Sequence, residues 1–462
     1  MRFSAKCVFL PRKTNMEMAT HTFKRKIYDK LLKWKTERQG KSAILVQGAR
    51  RVGKSTIVEE FAKREYKSYI LIDFSTCAKE VFDLFNDISD LNYLFVRLQL
   101  NYNVSLHDRQ SVIIFDEVQK QPLARQAIKH LVADGRYDYI ETGSLISIRK
   151  NVKDIVIPSE ETRVNMYPMD YEEFRWALDD TATVPLLRSI MEKPLPLGGT
   201  HRKLLRDFRL YMLVGGMPQA VDEYLATNNL ANVDAVKRDI LALYEGDFYK
   251  IDDSGTLSML FNAIPAELNK NASRYQISSV IENGRVDRMT EYIADLKESM
   301  TVNMAYFVSD PNAGMSFCKD LNRYKMFLAD TGLFLTLAFR DKDFTENVIY
   351  QKLWNDKLST NLGYLYENVV AQMLRAAGNE LFYHTFPTEK GNRNYEIDFL
   401  LARKNKVCPI EVKSSGYSTH ASLDAFCNKY SDRILDKYLI YSKDIKKDKG
   451  VQYLPFYMTM FL

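Results

Sequence analysis

The sequence predicts an α/β protein of several units, and three stretches carry that prediction. The first is an apolar run, Ala43 to Gln47, that passes through Gly48-Ala49-Arg50-Arg51-Val52-Gly53 into Lys54-Ser55-Thr56. The second is Val112-Ile113-Ile114-Phe115, which ends in Asp116-Glu117. The third is a pair of apolar runs, one holding Asp398 and the next Glu411-Val412-Lys413. Short β-rich runs that alternate with helical periodicity are the rhythm of a sheet wrapped by helices.

Length and composition set the frame. A chain of 462 residues with 46% hydrophobic content can bury two or three separate cores. The formal net charge of +6 is mild; it permits a nucleic-acid partner without demanding one. Cys7, Cys77, Cys318, Cys408 and Cys427 lie far apart, which points to reduced thiols in the cytoplasm and against a zinc module. The six histidines form no ligand spacing either. No apolar run reaches the length of a membrane span, and the run Cys7 to Leu10 is too short for a signal-peptide core, so no membrane partner is expected.

Residues 1–35 are basic, and Phe23, Ile27, Leu31, Leu32 and Trp34 fall at helical spacing. Two readings stand here: an arm for a phosphate backbone, or a solvated helix face. Met16 and Met18 mark the first stretch as a dispensable leader. Next come strands at Ala43–Gln47, Tyr69–Phe74, Ser111–Val118 and Tyr137–Glu141, with helices at Val81–Leu100 and Leu123–Ala133.

The pattern Gly48-x4-Gly53-Lys54-Ser55 between a strand and a helix is a phosphate-binding loop. The glycines let the backbone turn and bring its N–H groups to phosphate oxygens, and the helix start adds a positive dipole end. Lys54 then reaches the β- and γ-phosphates, and Ser55 holds Mg²⁺. Ala49, Arg50, Arg51, Val52 and Thr56 complete the expected nucleotide-binding stretch. Asp116, at the end of its strand, is placed to share the Mg²⁺ with Ser55. Glu117 beside it can orient and deprotonate a water. The strand that follows ends in Glu141-Thr142-Gly143-Ser144, where Thr142 or Ser144 could sense the γ-phosphate or form a plain turn.

With the run Glu160-Glu161-Thr162-Arg163-Val164-Asn165-Met166-Tyr167-Pro168-Met169-Asp170-Tyr171-Glu172-Glu173-Phe174, the set resembles the bacterial and archaeal AAA-type ATPases that carry a DUF4143 C-terminal region. The likeness continues through Tyr211–Pro218 and Asp330-Thr331-Gly332-Leu333. It departs at Met169-Asp170, where the family usually has Leu-Ser. The resemblance implies a P-loop core of the ASCE type with strand order 5-1-4-3-2, and ATP with Mg²⁺ as cofactors. It also implies Arg163 as the arginine that meets the nucleotide, in cis or across a subunit boundary. The residues alone leave adenine against guanine open, although no guanine-reading Asn-Lys-x-Asp follows the loop.

Residues 175–350 read as mostly helical, with helices at Leu204–Leu213 and Ala235–Tyr244 around the turn Gly215-Gly216-Met217-Pro218. From Tyr275 to Asp310 the order is helix, turn, helix, strand, with Val286, Met289, Ile293 and Leu296 on one apolar face. Strands at Val302–Val308 and Lys325–Leu328 complete an order that suits a winged helix, with Arg285 and Arg288 as candidate DNA contacts. A lid that packs on the first unit is the other reading.

The last hundred residues run helix, three strands, helix, strand: Leu362–Arg375, Glu380–Phe386, Glu396–Ala402, Val407–Val412, Ala421–Tyr430 and Tyr438–Tyr441, then Val451–Phe456. That order resembles the PD-(D/E)xK nuclease fold, matched by Glu367, Asp398, Glu411 and Lys413. Glu411 and Lys413 share one face of a strand, so with Asp398 they could pair carboxylates for Mg²⁺ and a lysine for water. The glutamine-tyrosine motif of some active relatives is absent; only Tyr430 answers it.

The expected organisation is a basic arm and helix at 1–35, an ATPase core at 36–190, a helical and winged-helix-like part at 191–350, and a nuclease-like part at 351–462. Three functions stay open at this level: an ATPase whose nucleotide state acts on a C-terminal DNA- or protein-binding module, a DNA nuclease gated by ATP, and a nucleotide-switched regulator. ATP, DNA and further copies of the chain are the partners to test.

Overall fold

The structure, a computed structural model, describes residues 21–144, 158–270, 272–282, 286–341, 348–354, 363–389, 391, 393–415 and 417–462, the side chains of 286–288, 348 and 349 excepted. Helix α1 (Ile27–Arg38) leads into β1 (Ala43–Gln47), α2 (Lys54–Glu65), β2 (Ser68–Asp73), α3 (Lys79–Asp83), α4 (Leu91–Tyr102), β3 (Ser111–Asp116), α5 (Pro122–Asp134), β4 (Asp138–Gly143) and β5 (Glu161–Asn165). Among the described residues these strands form a five-stranded sheet in the order β2-β3-β4-β1-β5. Every pairing in it is parallel. This is the 5-1-4-3-2 order that the resemblance implied.

β1, β3 and β4 are buried along their whole length, because helices cover both faces. Ile44, Val46, Val112, Ile114 and Ile140 pack toward Ile57, Val58 and Phe61 of α2. Leu45, Ile113, Phe115 and Tyr139 pack toward α4 and α5 on the other face. On α1, Ile27, Leu31 and Trp34 are buried, so this helix belongs to the core.

Two expected boundaries shift. The helix read over Val81–Leu100 breaks at Asp87–Asp90, where Asp87 accepts the Ser89 N–H at 2.9 Å and Asp90 caps α4 through the N–H groups of Asn92 and Tyr93. Acidic side chains that bond their own backbone compete with helix there. The strand read to Val118 stops at Asp116, because Glu117 takes a left-handed conformation with φ 54°.

The middle is helical: α6 (Tyr171–Ala177), α7 (Thr183–Glu192), α8 (Gly199–Val214), α9 (Pro218–Thr227), α10 (Leu230–Ile251), α11 (Thr256–Asn262), α12 (Ile264–Asn269) and α13 (Val286–Glu298). Asp170 explains the Met-Asp departure. It caps α6, accepting the Glu173 N–H while Glu173 returns a carboxylate to the cap, so it fills the post a serine would take.

The strands read as a wing, β6 (Val302–Val308) and β7 (Lys319–Leu328), do not form a separate module. They join β8 (Leu381–Pro387), β9 (Asn394–Arg403), β10 (Lys406–Lys413), β11 (Lys437–Tyr441), β12 (Lys446–Asp448) and β13 (Val451–Pro455) in one sheet, ordered β12-β13-β11-β10-β9-β8-β6-β7. The seam is the parallel pairing of Ala305–Phe307 with Leu381–Tyr383. β6 is buried at all seven positions, and a two-stranded wing cannot cover both faces of such a strand. A 3-10 turn at Ile277–Ser279 stands where the first helix of the winged-helix pair was expected. Arg285 and the side chain of Arg288 lie outside the described residues.

Helices α14 (Thr331–Ala338), α15 (Val348–Trp354), α16 (Gly363–Ala376) and α17 (Ala421–Lys429) complete the chain. Cys77, Cys318, Cys408 and Cys427 are free thiols. Among the described residues no helix is long and apolar enough to cross a membrane.

Candidate functional site

The phosphate loop connects β1 to α2 at the carboxyl edge of the first sheet. Gly48 sits against the Met166 carbonyl, where an added Cβ would come within 2.4 Å of the oxygen. Gly53 has φ 93°, which lets the chain turn directly into α2. Ala49 and Val52 are buried, so they fix the loop by packing. The Lys54 ammonium curls back over the loop and donates to the Gly48 and Ala49 carbonyls at 3.0 Å each. Burial lowers its pKa, while Glu117 and Asp116 act against that shift.

Asp116 at the end of β3 gathers the hydroxyls. Ser55 Oγ donates to its Oδ1 at 2.8 Å, and Thr142 Oγ1 at the end of β4 donates to the same oxygen. Strand order places them together, since β4 lies between β1 and β3. Of the two hydroxyls considered on this strand, Thr142 thus reaches the site; Ser144 lies just beyond β4, half-buried. Glu117 lines the adjoining cavity, and Gln119 donates its amide to the Glu117 carboxylate. Ser55 at the cavity wall and Asp116 bonded to it, a hydroxyl and a carboxylate side by side, are a fitting donor pair for Mg²⁺.

The cavity holds about 400 Å³. One half is loop: Arg50, Arg51, Gly53, Lys54, Ser55 and Thr56. The other half was not foreseen from sequence. His21 and Phe23 line it from the N-terminal segment, and Pro218, Gln219 and Asp222 line it from α9. His21 Nδ1 stands 2.5 Å from Asp222 Oδ1, which joins the two walls. Beneath them, buried Arg25 donates to the Val52 carbonyl at 2.9 Å and the Tyr167 carbonyl at 2.7 Å, and pairs with Glu173 at 3.1 Å. Lys26 pairs with Asp170 at 2.6 Å and Glu172 at 2.7 Å. These two charges of the basic stretch therefore serve the nucleotide-domain scaffold. No local pattern marks His21 or Asp222, which are two hundred residues apart.

Arg50 pairs with Asp247 of α10 at 2.8 Å, and Tyr244 of the same helix donates to the Arg50 carbonyl at 3.1 Å. Arg163 is not brought to the cavity. In β5 it pairs in register with Leu45, on the face opposite α2, and its Nε lies 2.6 Å from Glu161. Glu161 is also held by Arg125 at 2.9 Å, deep beside Glu141. Burial and then the Glu161 charge push the Glu141 carboxyl well above its ordinary range.

The residues of the nuclease-like motif do converge. Asp398 on β9 accepts the Val412 N–H at 2.7 Å; Glu411 on β10 lies 2.8 Å from the Lys413 ammonium and accepts the Leu423 N–H at 3.3 Å. Sequence reasoning missed two members. Lys325 of β7 contacts Glu396 and stands 3.7 Å from Glu367. Burial alone would lower the Lys325 pKa, but Glu396, Glu367 and Asp398 outweigh it and raise it. Burial, then Glu367, raises Asp398 well above the carboxylate range. Tyr430 lies at 3.3 Å from His384.

Residues 40–175 match the family model of an AAA domain, 205–343 that of a domain of unknown function, DUF8612, and 362–458 that of a second one, DUF4143. Among solved structures, the chain is similar to a Walker-type ATPase of Pyrococcus abyssi at 16% identity, over 70% of this chain and 99% of that one, with a TM-score of 0.42. It is also similar to the RuvB Holliday junction branch migration motor of Thermotoga maritima at 13% identity, over 61% and 89%, with a TM-score of 0.27. No curated protein matches it.

Proposed function

The chain is an AAA-type P-loop protein with a C-terminal DUF4143 domain, and from that premise we propose that it binds ATP with Mg²⁺, hydrolyses it, and passes its nucleotide state to the C-terminal half. One observation carries the reading: Lys54, Ser55, Asp116 and Thr142 meet at the carboxyl edge of three adjacent strands, beside a cavity large enough to extend past the phosphates. Backbone N–H groups of the loop and Lys54 hold phosphate oxygens; Ser55 and Asp116 hold the cation. The bound Mg²⁺ supplies charge to offset the phosphates. Glu117 accepts the proton of the attacking water. His21, Phe23, Pro218 and Gln219 form the space for the nucleoside.

The coupling reading rests on hydrogen bonds behind the cavity wall. Two residues before Pro218, the Gly216 N–H donates to Asp330 at 2.5 Å. Met169 N–H donates to the Gly216 carbonyl at 2.7 Å, and Tyr211 to the Met169 carbonyl at 2.8 Å. Gln372 of α16 donates to Tyr211 of α8 at 2.9 Å, so α16, α8 and the turn that leads into α9 share one buried polar network.

The test is Mg²⁺-dependent ATP hydrolysis by the full chain, with and without double-stranded or single-stranded DNA. Glu117→Gln is expected to lower kcat by about 10²–10⁴-fold while ATP binding is kept. ATP bound without turnover by the wild type would overturn hydrolysis and leave a nucleotide switch.

A further inference from the structure

The nuclease-like fold brings an expectation of a divalent cation, and the donor set here does not fit one. Such a site needs carboxylate oxygens with free lone pairs aimed at a common point. In this chain an ammonium already stands among them. Lys325 contacts Glu396, lies 3.7 Å from Glu367, and is only 6% exposed. The remaining carboxylates are engaged by protein donors. Asp398 takes the Val412 N–H at 2.7 Å, and Glu411 takes Lys413 at 2.8 Å and the Leu423 N–H at 3.3 Å. Among the described residues no group of three or more His, Cys, Asp or Glu side chains is arranged to hold a metal ion.

We infer that Lys325 takes the place of the metal in the C-terminal carboxylate cluster, which is a metal-free ion-pair joint and not a cleaving centre. A fixed positive charge a few ångströms from the would-be site repels a divalent cation, and burial leaves little solvent to screen it. The lysine comes from β7, outside the strands and helix that carry the motif, so the joint pins β7 to α16 and β9. The same strand is tied again at its end, where Asn368, next to Glu367, accepts the Leu328 N–H at 2.8 Å. Two residues beyond that end is Asp330, which holds Gly216 behind the nucleotide cavity. The cluster thus fixes the strand through which the C-terminal sheet reaches the helical middle. This inference does not depend on ATP turnover.

Mn²⁺ is the probe, read by the loss of its free-ion paramagnetic resonance signal on titration into the full, nucleotide-free chain. Wild type and Asp398→Asn are expected to bind the same number of Mn²⁺ ions. Lys325→Met is expected to gain one per chain, and Lys325→Met combined with Asp398→Asn to lose that gain. One Mn²⁺ held by the wild type and lost in Asp398→Asn overturns the inference. So does a folded Lys325→Met chain that gains none. Should Lys325→Met fail to fold, the comparison of wild type with Asp398→Asn decides alone.

Discussion

The two sites of this chain are built from the same parts and arranged to opposite effect. Each has carboxylates on strands of a sheet and a buried lysine. At the candidate nucleotide site Lys54 bonds backbone carbonyls of its own loop, and Ser55 lines an open cavity with Asp116 hydrogen-bonded behind it. At the C-terminal cluster Lys325 is inserted between the carboxylates. The first leaves room for a cation and an anion; the second fills that room with protein. Under the proposals above, the position of the neighbouring positive charge, and not residue type alone, separates a cation site from an ion-pair joint.

Removing each lysine tests that contrast most severely. Lys54→Ala is expected to weaken ATP binding by ~2–5 kcal/mol, as for a buried charge pair that loses one partner. Calorimetric titration with ATP and Mg²⁺ measures it, with little change expected in folding stability. Lys325→Met should do the reverse. It leaves ATP affinity near wild type and costs ~3–5 kcal/mol of stability at neutral pH, because the carboxylates lose their cation. The folded-state pKa of Asp398 is raised, so the folded form binds its proton more tightly, and the deficit shrinks as the pH falls toward the ordinary carboxylate range. Urea unfolding followed at several pH values would show this.

Glu141 sharpens the comparison, as a buried carboxyl with no hydrogen-bond donor to either oxygen among the described residues. Its folded-state pKa is raised, so its stabilising contribution is full below about 4.3 and is lost as pH rises through the folded value. Glu141→Gln should therefore be more stable than wild type at neutral pH by ~1–3 kcal/mol, with the gap closing in acid. An unfolding midpoint below wild type at pH 7 would contradict this. The smallest effect is expected at Arg163. It is half-exposed, and Arg125 still pairs with Glu161 without it, so Arg163→Ala should change stability by less than about 1 kcal/mol and leave ATP affinity as it is. A hundredfold fall in kcat with unchanged affinity would place Arg163 against the nucleotide of a neighbouring subunit.

Much of the candidate nucleotide site was legible in the chain because its parts are local. Gly48 to Thr56 are contiguous, and the loop conformation follows from glycine freedom and a helix start. The apolar run before Asp116-Glu117 marks a central strand, and its end is where a parallel sheet presents side chains to a ligand. The C-terminal strands were legible for the same reason. Their alternation and the Glu-x-Lys spacing put Glu411 and Lys413 on one face. The left-handed turn at Glu117, which shortens its strand, had no such signal, since non-glycine residues seldom adopt that conformation.

By itself the sequence determined which segments are strands and helices at the two sites, and which side chains carry charge there. Tertiary structure alone decided their company. It brought His21 to Asp222, put Lys325 among carboxylates seventy residues further on, and turned Arg163 away from the loop. It also merged β6 and β7 with the C-terminal sheet. Local geometry follows from short-range sterics and periodicity, which a few consecutive residues specify. Contacts between distant segments follow from burying apolar faces and satisfying buried charge together, a condition on the whole chain that no single stretch contains.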